Sequence, residues 1–249
     1  MKPFFYIVAA LRALIIFPSM VGYLVLYSVG RIFKKHNPQS AFALRRFWLN
    51  SIGIPVLNIH IIKEGKVSDR PAIYMGNHRS FADPIVICRY LDAFVIAKAE
   101  VANYPIINKG AEITGVIWVD RNNKNSRKET RSKLVETWSS GHNILVFPEG
   151  TVGTEPTTLP FKMGTFIEAA HHGIPIVPFA IEFKSKKDLW VLPKFIPQYF
   201  YQFSKWKTEV KFSIGSPVTD TDAERLMSTV RAWVDAKLKD QQKDWSEVF

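Results

Sequence analysis

The chain has 249 residues and a formal charge of +11, from 33 Lys and Arg against 22 Asp and Glu. With 47% hydrophobic residues, 13 Gly and 15 Pro, it is neither disordered nor collagen-like, and it is long enough for one large α/β domain or two small ones. Its single cysteine, Cys88, excludes an internal disulfide and a thiolate metal site, while the basic excess calls for an anionic counterpart: nucleic acid, an acidic membrane surface or phosphorylated substrates.

Phe4–Gly30 is apolar except for Arg12. A secretory signal would have a shorter apolar core and a small-residue cleavage site. A spanning helix takes about 20 apolar residues, and this stretch is long enough. Pro18, however, divides it into 4–17 and 19–30, and at about 1.5 Å per residue each half covers only about 20 Å. The expectation is an N-terminal membrane-associated helical segment, either one kinked spanning helix or two short helices in a single leaflet, with a buried core helix as the bland alternative. Arg31, Lys34, Lys35, Arg45 and Arg46 follow the stretch and only Lys2 precedes it. That asymmetry places the remainder on the cytoplasmic side, hence at the inner (cytoplasmic) membrane. A boundary near Ile54 would separate a helical segment and basic connector, 1–53, from a soluble domain, 54–249.

Beyond the boundary, short apolar runs alternate with helical patterns. Strands are predicted at 72–75, 93–97, 116–119, 144–147, 176–181 and 210–214. Helices are predicted at 84–91, 126–139 and 164–172, with Gly141 and Gly173 placed as helix stops. A last helix, from 222 to about 243, is announced by Thr221 with Glu224 three residues on, a capping box. The alternation predicts an α/β domain, a mostly parallel mixed sheet flanked by helices.

The segment Gly76-Asn77-His78-Arg79-Ser80-Phe81-Ala82-Asp83-Pro84 joins a strand to a helix, where α/β sheets hold ligands. His78 and Asp83 meet only if the loop curls. A neutral imidazole held by a carboxylate can then take a proton from an alcohol. The competing reading makes Asp83 an N-cap followed by Pro at the first helical position, and His78 an ordinary loop residue. Gly115 to Arg121 forms a strand ending in Asp120-Arg121, and a guanidinium there can grip a phosphate through two parallel hydrogen bonds. Phe147-Pro148-Glu149-Gly150-Thr151 ends another strand in a carboxylate, a glycine and a hydroxyl, or is merely a polar turn. Gly173-Ile174-Pro175-Ile176-Val177-Pro178 opens the next strand.

Together the series N-H-x4-D, G-x-I-x-V-D-R, F-P-E-G-T and G-I-P-I-V-P resembles the four motifs of the glycerolipid (lysophospholipid) acyltransferase family, nearest its bacterial 1-acyl-sn-glycerol-3-phosphate acyltransferases. Lys98-Ala99-Glu100 with Pro105, and the run Pro160 to Gly164, are similar to two further family stretches. The resemblance covers roughly 55–185. It implies His78 as general base and Asp83 as its orienting partner, and Arg121 with Lys98 as ligands of the acceptor phosphate. Glu149, Gly150 and Thr151 would shape the acceptor site, and Pro175 would lie near the acyl donor. It implies transfer of an acyl group from a thioester, on coenzyme A or acyl carrier protein, to lysophosphatidic acid, with no cofactor and no metal. Two residues depart from the pattern: Val152 stands where many members have Arg, and Trp118 where Phe is commoner. Another lysophospholipid or a lyso-aminolipid is the alternative acceptor.

No G-x-S-x-G elbow, H-E-x-x-H or P-loop occurs, although Ser80 near His78 keeps an acyl-serine in play. A reading from another class is a non-catalytic basic protein. Lys184, Lys186, Lys187, Lys194, Tyr199, Phe200, Tyr201, Lys205, Trp206 and Lys207 suit single-stranded nucleic acid or an anionic membrane surface. The apolar N-terminus favours the membrane, and no nucleic acid is expected.

Overall fold

The computed structural model describes residues 3–33, 37–99, 113–120 and 123–245. Seven strands among them form one sheet: β1 (Ile59–Glu64), β2 (Ile73–Gly76), β3 (Ala93–Lys98), β4 (Val116–Val119), β5 (Asn143–Val146), β6 (Ile176–Phe183) and β7 (Thr208–Ile214). Their spatial order is β1-β7-β6-β2-β5-β3-β4. The run from β6 to β4 is parallel throughout; β7 lies antiparallel to β6 and parallel to β1. A mostly parallel mixed sheet is thus the architecture.

The central strands β2 and β6 are buried at every position, because helices cover both faces and neither side of the strand needs polar residues. On one face lie α1 (Pro3–Phe33), α2 (Pro38–Trp48), α3 (Ile54–Leu57), α4 (Asp83–Ile87) and α7 (Phe195–Phe203). There Ile16, Leu57, Val86 and Phe203 pack with Tyr74, Leu145, Phe179 and Phe212. The other face is covered by α5 (Lys124–Ser139), α6 (Gly164–His172) and α8 (Ala223–Gln242), whose Leu134, Phe166 and Val230 meet Ile73, Met75 and Ile144.

Several expectations need correction. The N-terminal segment is not divided at Pro18: α1 runs unbroken through it. The fixed φ of proline is already helical, so the helix continues at the cost of the bond to the Leu14 carbonyl and of the crowding of the ring against it; one residue on, Ser19 Oγ donates to the Ile16 carbonyl at 2.9 Å. Nor is Arg12 a charge adrift in an apolar helix. It is 7% exposed and donates to the carbonyls of Phe203 (2.9 Å), Lys205 (2.7 Å) and Trp206 (2.6 Å), at the end of α7. The last helix is capped by Asp222, which accepts from the N–H groups of Glu224 and Arg225, so Thr221 lies outside it and the expected box does not form. From α2 the chain continues through a π turn, Leu49–Gly53, into α3. Strand β1 and helices α2 and α7 were not anticipated.

Candidate active site

β2, β5, β3 and β4 are parallel neighbours, so their carboxyl ends share one edge of the sheet, and three motif segments leave from that edge. A side chain at Gly76, the last residue of β2, would strike the Phe179 carbonyl at 2.1 Å and its ring at 2.5 Å. Only glycine lets the strand pass there. Asn77 then extends the β2–β6 ladder with its side chain, donating to the Ile181 carbonyl (2.7 Å) and accepting from the Ile181 N–H (2.9 Å).

The loop curls as the pairing of His78 with Asp83 requires. His78 Nδ1 lies 2.6 Å from Asp83 Oδ2, which also accepts from the backbone N–H groups of Arg79 (2.7 Å) and Ser80 (3.0 Å). The carboxylate points back into the loop, away from the helix that Asp83 begins, and no side chain caps α4. The capping reading of Asp83 is therefore displaced. Asp83 is fully buried, while the His78 side chain keeps 19% of its surface and stacks on the Phe147 ring at 4.1 Å. A carboxylate only accepts, so Nδ1 carries the proton and Nε2 presents a lone pair away from Asp83. Ser80 Oγ donates to Gln202 Oε1 (3.0 Å) and accepts from the Ala82 N–H (3.2 Å); its side-chain bonds do not involve His78. Ser80 lacks the base an acyl-serine mechanism needs.

Beyond β5, Gly150 turns the chain with φ of +75°, a conformation that favours glycine, and donates to the Phe147 carbonyl at 3.1 Å. Glu149 is 5% exposed, and burial pushes its carboxyl up to about 8 despite the nearby Arg79 charge and the N–H groups of His78 and Leu159. At neutral pH it is chiefly the uncharged acid. Thr151 is exposed. Lys98 ends β3, in register with Val119, on the same edge as His78. Arg121 lies outside the described residues; Asp120, just before it, binds Ser126 Oγ through its N–H. Pro175 is not brought to the others. Its carbonyl accepts from Ile73 N–H at the amino end of β2, the opposite edge of the sheet.

Two buried residues that carry this geometry escaped sequence reasoning. Arg79, 1% exposed, reaches the loop after Glu149, and Glu182 faces it from β6 with Nη2 to Oε2 at 2.9 Å. One acid in the otherwise apolar strand 176–183, matched by an Arg inside a motif, was the available signal.

The acyltransferase family model matches residues 57–182, which takes in the His78–Asp83 pair and the Glu149 turn. The chain belongs to the acyltransferase family. A 1-acyl-sn-glycerol-3-phosphate acyltransferase of Haemophilus influenzae is 27% identical over 175 residues, 68% of this chain and 73% of its own. The lyso-ornithine lipid O-acyltransferase of Pseudomonas aeruginosa is 27% identical over 141 residues, 57% of this chain and 54% of its own. The chain spans from 33% to 56% of the length of the plant and algal relatives it matches. Its fold follows the crystal structure of the 1-acyl-sn-glycerophosphate acyltransferase PlsC from Thermotoga maritima, with TM-score 0.70, 21% identity, and coverage of 98% of this chain and 97% of that one.

Proposed function

We propose that the protein transfers a fatty acyl group from a thioester to the free hydroxyl of lysophosphatidic acid, giving phosphatidic acid. The observation that carries this is the His78–Asp83 pair, with Nδ1 held at 2.6 Å and the ring still reachable. His78 Nε2 takes the hydroxyl proton as the oxygen attacks the thioester carbonyl. The new C–O bond forms, the C–S bond breaks, and the thiolate takes its proton from the imidazolium that Asp83 has stabilised. The acceptor phosphate lies beyond the ends of β3 and β4, where Lys98 and Arg121 supply cations, and Glu149, Gly150 and Thr151 form the neighbouring wall. The thiol carrier is coenzyme A or acyl carrier protein, both acidic partners for a chain of charge +11. α1 holds the protein to the inner membrane with this site on the cytoplasmic face.

The deciding experiment offers the purified protein a radiolabelled acyl thioester and a panel of lysolipids differing only in headgroup. Lysophosphatidic acid is expected to be the preferred acceptor, and Arg121→Ala to weaken its use by tens-fold, about 2 kcal/mol for a lost charge-assisted contact. A second reading, a lyso-aminolipid acceptor, is favoured by Val152 in place of the commoner Arg and by the lyso-ornithine relative. Turnover of lyso-ornithine lipid with lysophosphatidic acid inert would select it.

A further inference from the structure

We infer that Arg79 is a positioning residue: its guanidinium fastens the loop 153–156 to the catalytic segment and so sets Glu149, Gly150 and Thr151 relative to His78. The role rests on the proposed reaction, in which those three residues shape the acceptor site.

The guanidinium is spent almost wholly on that loop. Nη1 donates to the carbonyls of Gly153 (3.1 Å) and Glu155 (2.6 Å), and Nη2 to the Pro156 carbonyl (3.4 Å) and Glu182 Oε2 (2.9 Å). The segment is irregular, so its carbonyls, that of the buried Gly153 among them, have no ladder to satisfy them, and one rigid fork does so instead. Gly153 is held twice. Its N–H donates to the His78 carbonyl at 2.7 Å while its own carbonyl accepts from Arg79, so residues 78–79 and 153 exchange bonds like an added rung of the sheet.

Displacement of this loop reaches Glu149 directly. A Cβ on Gly153 would stand 3.1 Å from Glu149 Oε2, so the glycine lies against the carboxyl group. On the outer side Gln242 Nε2 donates to the Pro156 carbonyl and to Glu182 Oε2, both at 2.8 Å, tying the same loop to the end of α8. The three carbonyls that its donors meet besides Glu182 all belong to the loop that leaves Glu149. Arg79 has 1% exposure and its guanidinium donates to these carbonyls and to Glu182, so it touches no substrate.

The test compares Arg79→Lys, Glu182→Gln and Gln242→Ala with wild type, measuring KM for acceptor and donor separately and the melting temperature. Arg79→Lys keeps the charge opposite Glu182 and loses the fork. It is expected to raise the acceptor KM by on the order of tenfold or more, as misplaced binding groups do, with the donor KM unchanged. Glu182→Gln weakens the charge pair and leaves the carbonyl contacts, so it lowers the melting temperature and keeps the acceptor KM. Gln242→Ala, at a partly exposed site, removes the outer tether and should raise the acceptor KM severalfold, which keeps the inference testable if Arg79→Lys does not fold. A wild-type acceptor KM in Arg79→Lys, or in Gln242→Ala where the lysine variant is unfolded, overturns the positioning role. So does an equal change in Arg79→Lys and Glu182→Gln. Failure of wild type to acylate any lysolipid overturns the reaction and this role together.

Discussion

At the scale of single residues, Asp83 illustrates how one side chain serves both chemistry and structure. Its Oδ2 accepts from three donors while Oδ1 is buried without a partner. Asp83→Asn can keep the three bonds through its amide oxygen, but its NH2 then faces the empty side, at a cost of about 1–3 kcal/mol. The His78 imidazolium loses its counter-charge. The expected outcome is a modestly lowered melting temperature with transfer down by on the order of 10²-fold or more, beside an inactive but folded His78→Ala. Wild-type turnover by Asp83→Asn would separate the pair. Glu149 makes the pH prediction. Its carboxyl titrates near 8 in the fold against 4.5 ordinarily, so the folded chain binds the extra proton throughout that interval. The stability gained from it is complete below the unfolded value and is lost as pH rises through the folded one. Asp188, raised by burial to about 6, acts in the same direction but is exhausted earlier. Glu149→Gln, neutral at every pH, should therefore melt progressively higher than wild type between about pH 6.5 and 8.5. A constant difference across that window would mean that Glu149 is ionised in the fold.

Among the elements, those that were legible share one physical property. Strands β2, β5 and β6 are apolar on both faces, so their runs stand out in the sequence whatever their neighbours do. β1 is an edge strand with alternating burial, and an apolar Ile62 on its exposed side with Lys63 on the covered side hides the pattern in a short segment. Helix α7 carries Pro197 in its first turn and aromatic residues all round, which obscures a helical period. α2 had a readable start that went unused: Asn37 accepts from the Gln39 N–H at 2.9 Å and Pro38 occupies the first turn. Within the site, His78, Asp83 and Glu149 stood out by residue type, whereas Arg79 and Glu182 take their meaning from a crossing of strands and loop that no local spacing reveals. Arg12 is the case in which tertiary structure reversed a local reading. Its carbonyl partners are Phe203, the last residue of α7, and Lys205 and Trp206 just beyond it, where a cation also opposes the negative end of the helix. Arg12→Ala should leave α1 helical by circular dichroism yet lower the urea-unfolding free energy in detergent by about 2 kcal/mol. No loss of stability would mean that apolar contacts alone dock α1.

For the molecule as a whole, the competing anchors are charge and apolar surface. Much of the expected basic surface is already committed within the fold. Arg45 donates to the carbonyls of Thr114 and Ala93, Arg46 pairs with Asp92, Lys205 with Asp188, and Lys184 and Lys207 share Glu209. The apolar surface is unspent. α1 buries Ala9, Arg12 and Ile16 against the domain, and exposes Ile7, Leu11, Leu14, Val25, Val29 and Ile32. At 100° per residue these six share one face, opposite the docked one, along the whole helix. Fully burying a leucine or valine contributes about 1.5–3 kcal/mol, so six of them outweigh exposed lysines that salt screens to a range of about 3 Å at 1 M. The protein is therefore expected to pellet with membranes and to stay there through a high-salt wash, with loss of binding only in detergent. Leu14→Glu with Val25→Glu places two charges on that face without touching the docked side, and should move the protein to the supernatant while its melting temperature in detergent stays near wild type. Release of wild type by salt alone would assign the anchoring to the lysines, and retention of the double variant in the pellet would remove the α1 face from it.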